Sequence, residues 1–387
     1  MRAHSTSVVM SVLFWAVATT TTTAIAAEVC WPTGELASKS GEGKINQGQR
    51  AAFVDPLKRR PIEATPLPAA RQRVIRRVNL APGGRKLVAL TFDLCEQPHE
   101  VSGYQGDIVD YLRTKKVRTT FFAGGKWMLT HRTRAEQLMS DPLFEMANHT
   151  WEHRNLRRLS GSALVAEIER AQVAYEDVRA GLQARRCVHP ASKRPAFEAA
   201  RERMTLFRFP FGACDPRSIQ AVGALGLEAV QWDVSSGDPW VGLTAKAMVD
   251  HVLKAVKPGS IVLFHANGRG FVTGSALPAI VEGLRAQGYE FATVSELLAA
   301  GTPEYAAVEH GCYDSKPGDT KKYDSLADQL SETYARARAA ALGRDGAAQP
   351  PAKAPEPIKV PEPIKVPAPV KVERAPAPQE RSPLEPQ

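Results

Sequence analysis

Leu87-Val88-Ala89-Leu90-Thr91-Phe92 is an unbroken apolar run that ends on the carboxylate of Asp93. Its length suits a strand, and a continuous rather than alternating run suits a strand buried on both faces. An amphipathic stretch follows from Gly106 to Lys115, with Ile108, Val109, Tyr111 and Leu112 inward on a helix. The same unit recurs. Strands are predicted over Arg118–Phe122, Phe144–Asn148, Leu206–Phe209, Ala229–Val234 and Ser260–Phe264. Helices are predicted over Ala163–Leu182, Thr244–Ala255 and Ser275–Gln287. Strands alternating with helices imply an α/β fold with a parallel sheet, and closure into a barrel of about seven strands is the economical solution at this size. In such folds the chemistry collects at the carboxyl ends of the strands. Asp93, the pair His149 and His153, Arg208 and His265 each follow an apolar run and so fall at that end.

His149 and His153 stand four residues apart in Asn148-His149-Thr150-Trp151-Glu152-His153. On one helical turn that spacing points both imidazoles the same way, where they can grip one metal ion. With an acid, an arginine and a further histidine nearby, the set suggests a metal-assisted hydrolase. Each member also has a bland reading. Asp93 and Arg208 could form a structural ion pair, His265 could be a core histidine, and Asp238 could cap the turn Ser236-Gly237-Asp238-Pro239. Order and spacing decide between the two readings.

The composition, with 43% hydrophobic residues over 387 positions, is that of a globular protein with room for one large domain and extensions. Arg2 and His4, the apolar run Val8 to Ala18 and the small residues Ala24-Ile25-Ala26 read as a secretory signal over residues 1–26, so export to the periplasm or the medium is expected. Export permits disulfides among Cys30, Cys95, Cys187, Cys214 and Cys312, with one cysteine left over. Cys95–Cys214 and Cys30–Cys312 are the pairings entertained. Metal binding by cysteine carries less weight, because no CxxC pair occurs. The formal charge of +9 favours anionic surfaces such as envelope polymers, while nucleic acid is a poor partner for an exported chain without a binding motif. Residues 27–85, broken by Pro56, Pro61, Pro66, Pro68 and Pro82, read as an irregular lead-in. Residues 301–345 read as an extension with one helix over Leu326–Leu342. Residues 346–387 read as a disordered tail repeating Pro-Glu-Pro-Ile-Lys-Val, a spacer or an arm that contacts the cell envelope.

Five motifs in order resemble the polysaccharide deacetylase family, the NodB homology domain. They are Thr91-Phe92-Asp93-Leu94, His149-Thr150-Trp151-Glu152-His153, Arg208-Phe209-Pro210-Phe211, Ser235-Ser236-Gly237-Asp238-Pro239 and Leu263-Phe264-His265. The resemblance covers residues 86–300. It implies a deformed (β/α) barrel and metal-dependent removal of N-acetyl groups from a glycan. It assigns Asp93 as general base, Arg208 as its anchor, His265 as general acid and Asp238 as the carboxylate that orients His265. It further assigns His149 and His153 as ligands of a divalent cation, with Zn2+ foremost and Co2+ or a similar ion as the alternative. The Phe211 backbone amide would face the oxyanion, and Leu263 and Trp240 would line the acetyl pocket.

The family's second aspartate, its third metal ligand, is Leu94 here. Glu96 in Leu94-Cys95-Glu96-Gln97 is the preferred replacement. His99, Asp93 itself, or a site that binds no metal and only recognises glycan are the alternatives. A non-catalytic envelope scaffold and an O-acetyl esterase are the competing functions.

Overall fold

The run around Leu90 forms a strand from Lys86 to Leu94, buried at every position after Lys86. The computed structural model describes residues 30–48, 60–185, 201–306, 321, 324, 325 and 327–329. In chain order these form α1 (Thr33–Leu36), β1 (Asn46–Gln47), β2 (Val74–Leu80), β3 (Lys86–Leu94), β4 (Glu100–Val101), α2 (Gly106–Thr114), β5 (Thr119–Ala123), α3 (Gly125–Thr130), α4 (Arg132–Ser140) and β6 (Phe144–Asn148). There follow α5 (Gly161–Gln183), β7 (Leu206–Phe207), α6 (Pro216–Ala224), β8 (Glu228–Val230), β9 (Val234–Ser235), α7 (Ala245–Ala255), β10 (Ile261–His265), α8 (Thr273–Ala286), β11 (Tyr289–Phe291), α9 (Val294–Ala299) and β12 (Gly301–Tyr305).

The main sheet has the order β12-β2-β8-β7-β6-β5-β3-β10-β9, with β11 pairing on β3. Every pairing in it is parallel except β12 on β2. The sheet curls into a half-barrel. Val78 of β2 donates its N–H to the carbonyl of Gly259, just before β10, at 3.0 Å. A bridge between Arg77 and Ser260 continues that contact. The seam therefore joins the later half of β2 to the start of β10. Gly259 has φ +85°, and a Cβ there would lie 1.7 Å from the Val78 carbonyl oxygen, so only glycine fits this seam.

β3 separates two cores by the alternation of its side chains. Val88, Leu90, Phe92 and Leu94 join the cluster beneath the helices, where Phe92 stacks on Phe264 with ring centroids 5.2 Å apart. Leu87 and Ala89 face the barrel interior with Phe122, Val230, Trp232 and Leu263. Each large side chain so buried contributes on the order of 1.5–3 kcal/mol. Asp93 continues the interior face of β3, and His265 continues that of Leu263.

Two expectations need correction. Residues 27–85 are not irregular throughout: Val74–Leu80 is a strand inside the sheet, and α1 and β1 precede it. The chain from 301 likewise adds β12 to that strand, so the barrel domain runs from 74 to 305 rather than 86 to 300, with ten strands rather than about seven. Arg76 and Arg77 in mid-strand disguised β2; Arg77 is held by Glu304 at 2.5 Å across the pair. Pro303 disguised β12, which lies at a sheet edge, where a missing N–H costs nothing. The signal segment 1–26, the tail 346–387 and most of the helix expected over Leu326–Leu342 lie outside the described residues. Among the described residues no helix is long and apolar enough to cross a membrane.

Candidate active site

The residues expected at the carboxyl ends of the strands are found there. Asp93 ends β3 together with Leu94, His149 follows β6, Arg208 follows β7 and His265 closes β10. Asp93 and His265 are paired in register across β3 and β10.

Arg208 is fully buried. Its Nη1 donates to Asp93 Oδ1 at 2.8 Å, while Nε and Nη2 donate to the carbonyls of Val230 and Gln231 at 3.3 and 3.2 Å. Its guanidinium lies over the ring of Phe122, 3.8 Å from the centroid. Burial alone would raise the Asp93 pKa. The charge of Arg208 outweighs it, with help from His149 and His265, and holds the carboxyl below its ordinary range.

His265 is gripped through its other neighbour. Its Nδ1 lies 2.8 Å from Asp238 Oδ1, and its backbone N–H donates to Asp238 Oδ2 at 2.6 Å. Thr273 Oγ1 donates to the same Oδ2 at 2.8 Å. Burial pulls the His265 pKa down, but the charge and hydrogen bond of Asp238, joined by the charge of Asp93, leave it raised. Asp238 thus orients the imidazole and favours its protonated form.

The histidine pair meets, though not on a helix as its spacing predicted. Residues 149–155 form an irregular loop in which Thr150 and His153 adopt left-handed backbone, φ +65° and +59°. The loop is tied down by hydrogen bonds that a helix would have spent on itself. Asn148 Oδ1 accepts from Thr150 N–H at 2.9 Å, and Thr150 Oγ1 from His153 N–H at 3.1 Å. The first N–H groups of α3, Gly125 and Lys126, donate to the carbonyls of Thr150 and Trp151 at 2.9 Å each. Glu167 of α5 accepts from Glu152 N–H at 3.2 Å. The two rings lie 4.9 Å apart, edge to face.

His149 Nδ1 sits 2.9 Å from the Arg208 carbonyl, which can only accept, so the ring proton is on Nδ1 and Nε2 carries the lone pair. His149 Nε2 and His153 Nδ1 are buried without a hydrogen-bond partner. Burial lowers the pKa of His149, and burial together with the charge of His149 puts His153 well below its ordinary value. Neutral, buried imidazoles with orphaned nitrogens fit a divalent cation. Among the described residues, Cys95 Sγ joins one nitrogen of each histidine in a group whose atoms lie within 4.8 Å of one another.

Glu96 is therefore corrected as third ligand. Its carboxylate accepts from Ser102 N–H at 3.2 Å and Thr130 Oγ1 at 2.8 Å, and lies 3.6 Å from Lys126 Nζ. Those partners belong to the α3 side of the sheet, opposite to Asp93. Neither His99 nor Asp93 belongs to the converging group. His99 occupies the turn before β4, where its carbonyl accepts from Gly48 N–H at 2.8 Å. Asp93 spends Oδ1 on Arg208 and keeps Oδ2 3.4 Å from His149 Nε2.

Of the expected pocket residues, Leu263 lies in the interior cluster beside Trp232. Phe211 has left-handed backbone, φ +59°, and its ring meets His153 edge to face at 4.5 Å. Trp240 is 46% exposed, so it does not line a buried acetyl pocket; Trp232 lies in the interior cluster instead. The Cys95–Cys214 bridge does not form. Cys95 is a buried free thiol, pushed up to about 12 mainly by burial, while Cys214 and Cys30 are each disulfide-bonded. Cys312, the partner entertained for Cys30, lies outside the described residues. Asn267, which stands in no motif, joins the site through its Nδ2, which donates to the Cys95 carbonyl at 2.7 Å and to Sγ at 3.1 Å.

Paired imidazoles, a carboxylate fixed by arginine and a histidine fixed by carboxylate define a hydrolase-type site. Comparison with known proteins agrees with that class. The family described as polysaccharide deacetylase matches residues 81–196. A peptidoglycan-N-acetylglucosamine deacetylase of Bacillus cereus is 30% identical over 220 residues, 56% of this chain and 90% of that protein. A chitooligosaccharide deacetylase of Rhizobium leguminosarum bv. phaseoli is 31% identical over 182 residues, 47% of this chain and 69% of that protein. A solved structure of a CE4 family pseudoenzyme from Bacillus anthracis aligns with a TM-score of 0.46 and 22% identity, over 58% of this chain and 68% of that one. The chain belongs to the polysaccharide deacetylase family, hydrolases acting on carbon–nitrogen bonds other than peptide bonds.

Proposed function

We propose that this protein is an exported, metal-dependent deacetylase that removes N-acetyl groups from N-acetylglucosamine-containing polysaccharide of the cell envelope. The observation that carries this reading is the pair of orphaned, buried imidazole nitrogens of His149 and His153, beside Asp93. A zinc-type cation held there would supply Lewis-acid polarisation of the amide carbonyl. Asp93, kept ionised by Arg208, takes a proton from the attacking water. His265, its Nδ1 fixed on Asp238, gives its proton to the departing amine, so that one water and one amide become acetate and a free amino sugar. The Phe211 backbone amide faces the oxyanion, Leu263 and Trp232 bound the acetyl methyl, and Trp240 meets the sugar chain.

Both carboxylate pairs are intact, which favours catalysis over a glycan-binding scaffold. The similarity to peptidoglycan and chitooligosaccharide deacetylases favours an N-acetyl over an O-acetyl substrate. The basic balance of the chain suits an anionic envelope polymer, and the proline-rich tail is proposed as its spacer or contact. Acetate release from peptidoglycan, chitooligosaccharide and acetylated xylan, with and without chelator, tests the reading. Chelator-sensitive release from the first two is expected. Release confined to xylan, or binding without release, overturns it.

A further inference from the structure

We infer that Cys95 is the third protein ligand, binding the cation as a thiolate, and that Asn267 positions its sulfur. The inference rests on the metal-dependent reading above and deepens it, replacing the oxygen donor that the family resemblance implies with sulfur.

Four independent observations carry it. Cys95 Sγ and the two histidine nitrogens lie within 4.8 Å of one another, so small side-chain adjustments would bring all three to the roughly 2.0–2.3 Å at which a zinc-type ion is bound. The two nitrogens are buried and orphaned. Just past the end of β3 the Glu96 carboxylate is held by Ser102 N–H, Thr130 Oγ1 and Lys126, whereas Cys95 Sγ converges with the histidine pair. Cys95 is also kept as a free thiol while Cys30 and Cys214 are oxidised to disulfides.

Asn267 supplies the supporting contact. It is fully buried, and its Nδ2 donates to both the carbonyl and the sulfur of Cys95. A donor aimed at sulfur favours the thiolate and fixes its direction, the usual task of a group one step removed from a metal. Binding expels the thiol proton to solvent and forms the metal–sulfur bond, with no change of oxidation state. One thiolate and two imidazoles favour zinc or cobalt over magnesium, calcium or manganese.

The full chain is loaded with Co(II) and its absorption spectrum recorded. Wild type is expected to show visible ligand-field bands together with a near-ultraviolet sulfur-to-cobalt charge-transfer band. Cys95→Asp and the near-isosteric Cys95→Ser should lose the charge-transfer band, with Cys95→Asp keeping the visible bands. Asn267→Ala should keep the charge-transfer band but bind the metal about 10- to 100-fold more weakly. Ligand-field absorption without a charge-transfer band in wild type, or an unchanged band in Cys95→Asp, overturns the inference while leaving metal dependence standing. Acetate release that survives complete metal removal strikes the parent reading instead, and the cobalt spectrum still decides the ligand.

Discussion

His265 is the register partner of Asp93 on the adjoining parallel strand, so the proposed acid and base leave the sheet side by side at its carboxyl edge. Each is fixed from the far side, Asp93 by Arg208 and His265 by Asp238. The two pairs push in opposite directions, one lowering the pKa of a carboxyl and the other raising that of an imidazole. Groups so divided suit base and acid roles in one reaction. His265→Ala should lower kcat by roughly 10²–10⁴ with the fold intact, since it removes only the proton donor. Acetate release measured beside thermal unfolding checks this. An unchanged kcat would assign protonation of the amine to another group.

Asp238→Asn keeps the size of the side chain but turns one acceptor oxygen into a donor and removes the charge that raises His265. A general acid works while protonated, so its rate falls as pH rises through its pKa. With Asp238 present that pKa is raised; without it, burial dominates and draws it down. The alkaline limb of the kcat/KM profile should therefore move to lower pH in Asp238→Asn. A purely structural role would reduce the rate at every pH and leave the limb in place.

Glu96→Ala separates structure from metal binding. The carboxylate ties Ser102, Thr130 and Lys126 together beneath the loop that leaves β3. Its removal should cost on the order of 1–3 kcal/mol of stability. Zinc content per chain should be unchanged. A drop in bound zinc with stability intact would return Glu96 to the ligand set.

The barrel and most of its site were legible in the sequence, and the gaps have physical causes. β3, β5, β6 and β10 announce themselves because strands buried on both faces carry continuous apolar runs. β2 does not, because its middle positions are the arginines Arg76 and Arg77, the second paired with Glu304 across the sheet edge. His149 and His153 were rightly paired, but through the wrong geometry: a spacing of four implies a helical turn, and here Asn148 and Thr150 bend the backbone into a loop that reaches the same end. Glu96 was preferred because it is a carboxylate, while strand parity favoured Cys95. Carried one residue past the end of β3, the alternation that puts Asp93 on the interior face puts Cys95 there as well.

Gly259→Ala probes the seam between β2 and the start of β10. The added methyl would sit 1.7 Å from the Val78 carbonyl oxygen, and φ +85° is unfavourable to alanine. The seam must open, parting β2 from the start of β10. Several kcal/mol of destabilisation is expected, on the order of 3–5 as for severe backbone conflicts. Chemical denaturation should show it, whereas Gly288→Ala, where a Cβ meets nothing within 4 Å, should cost only the strain of its left-handed backbone.

Glu167 makes the loop that carries His149 and His153 sensitive to pH. It lies buried on α5, where it accepts from Glu152 N–H, the residue before His153. Burial, with the charge of Glu152 adding to it, raises its pKa from 4.5 to about 7. Because the folded value is the higher one, the folded state binds this proton more tightly than the unfolded chain does. Its contribution to stability is full below pH 4.5 and is lost as pH rises through about 7. That loss is at most on the order of 3 kcal/mol. Glu167→Gln keeps an oxygen to accept from Glu152 but cannot ionise, so it should flatten the stability profile across this window. Above pH 7 it should be more stable than wild type, and at pH 4 nearly equal to it. Denaturation midpoints collected from pH 4 to 8 give the comparison, and parallel profiles for the two proteins would show that Glu167 is not the group that titrates.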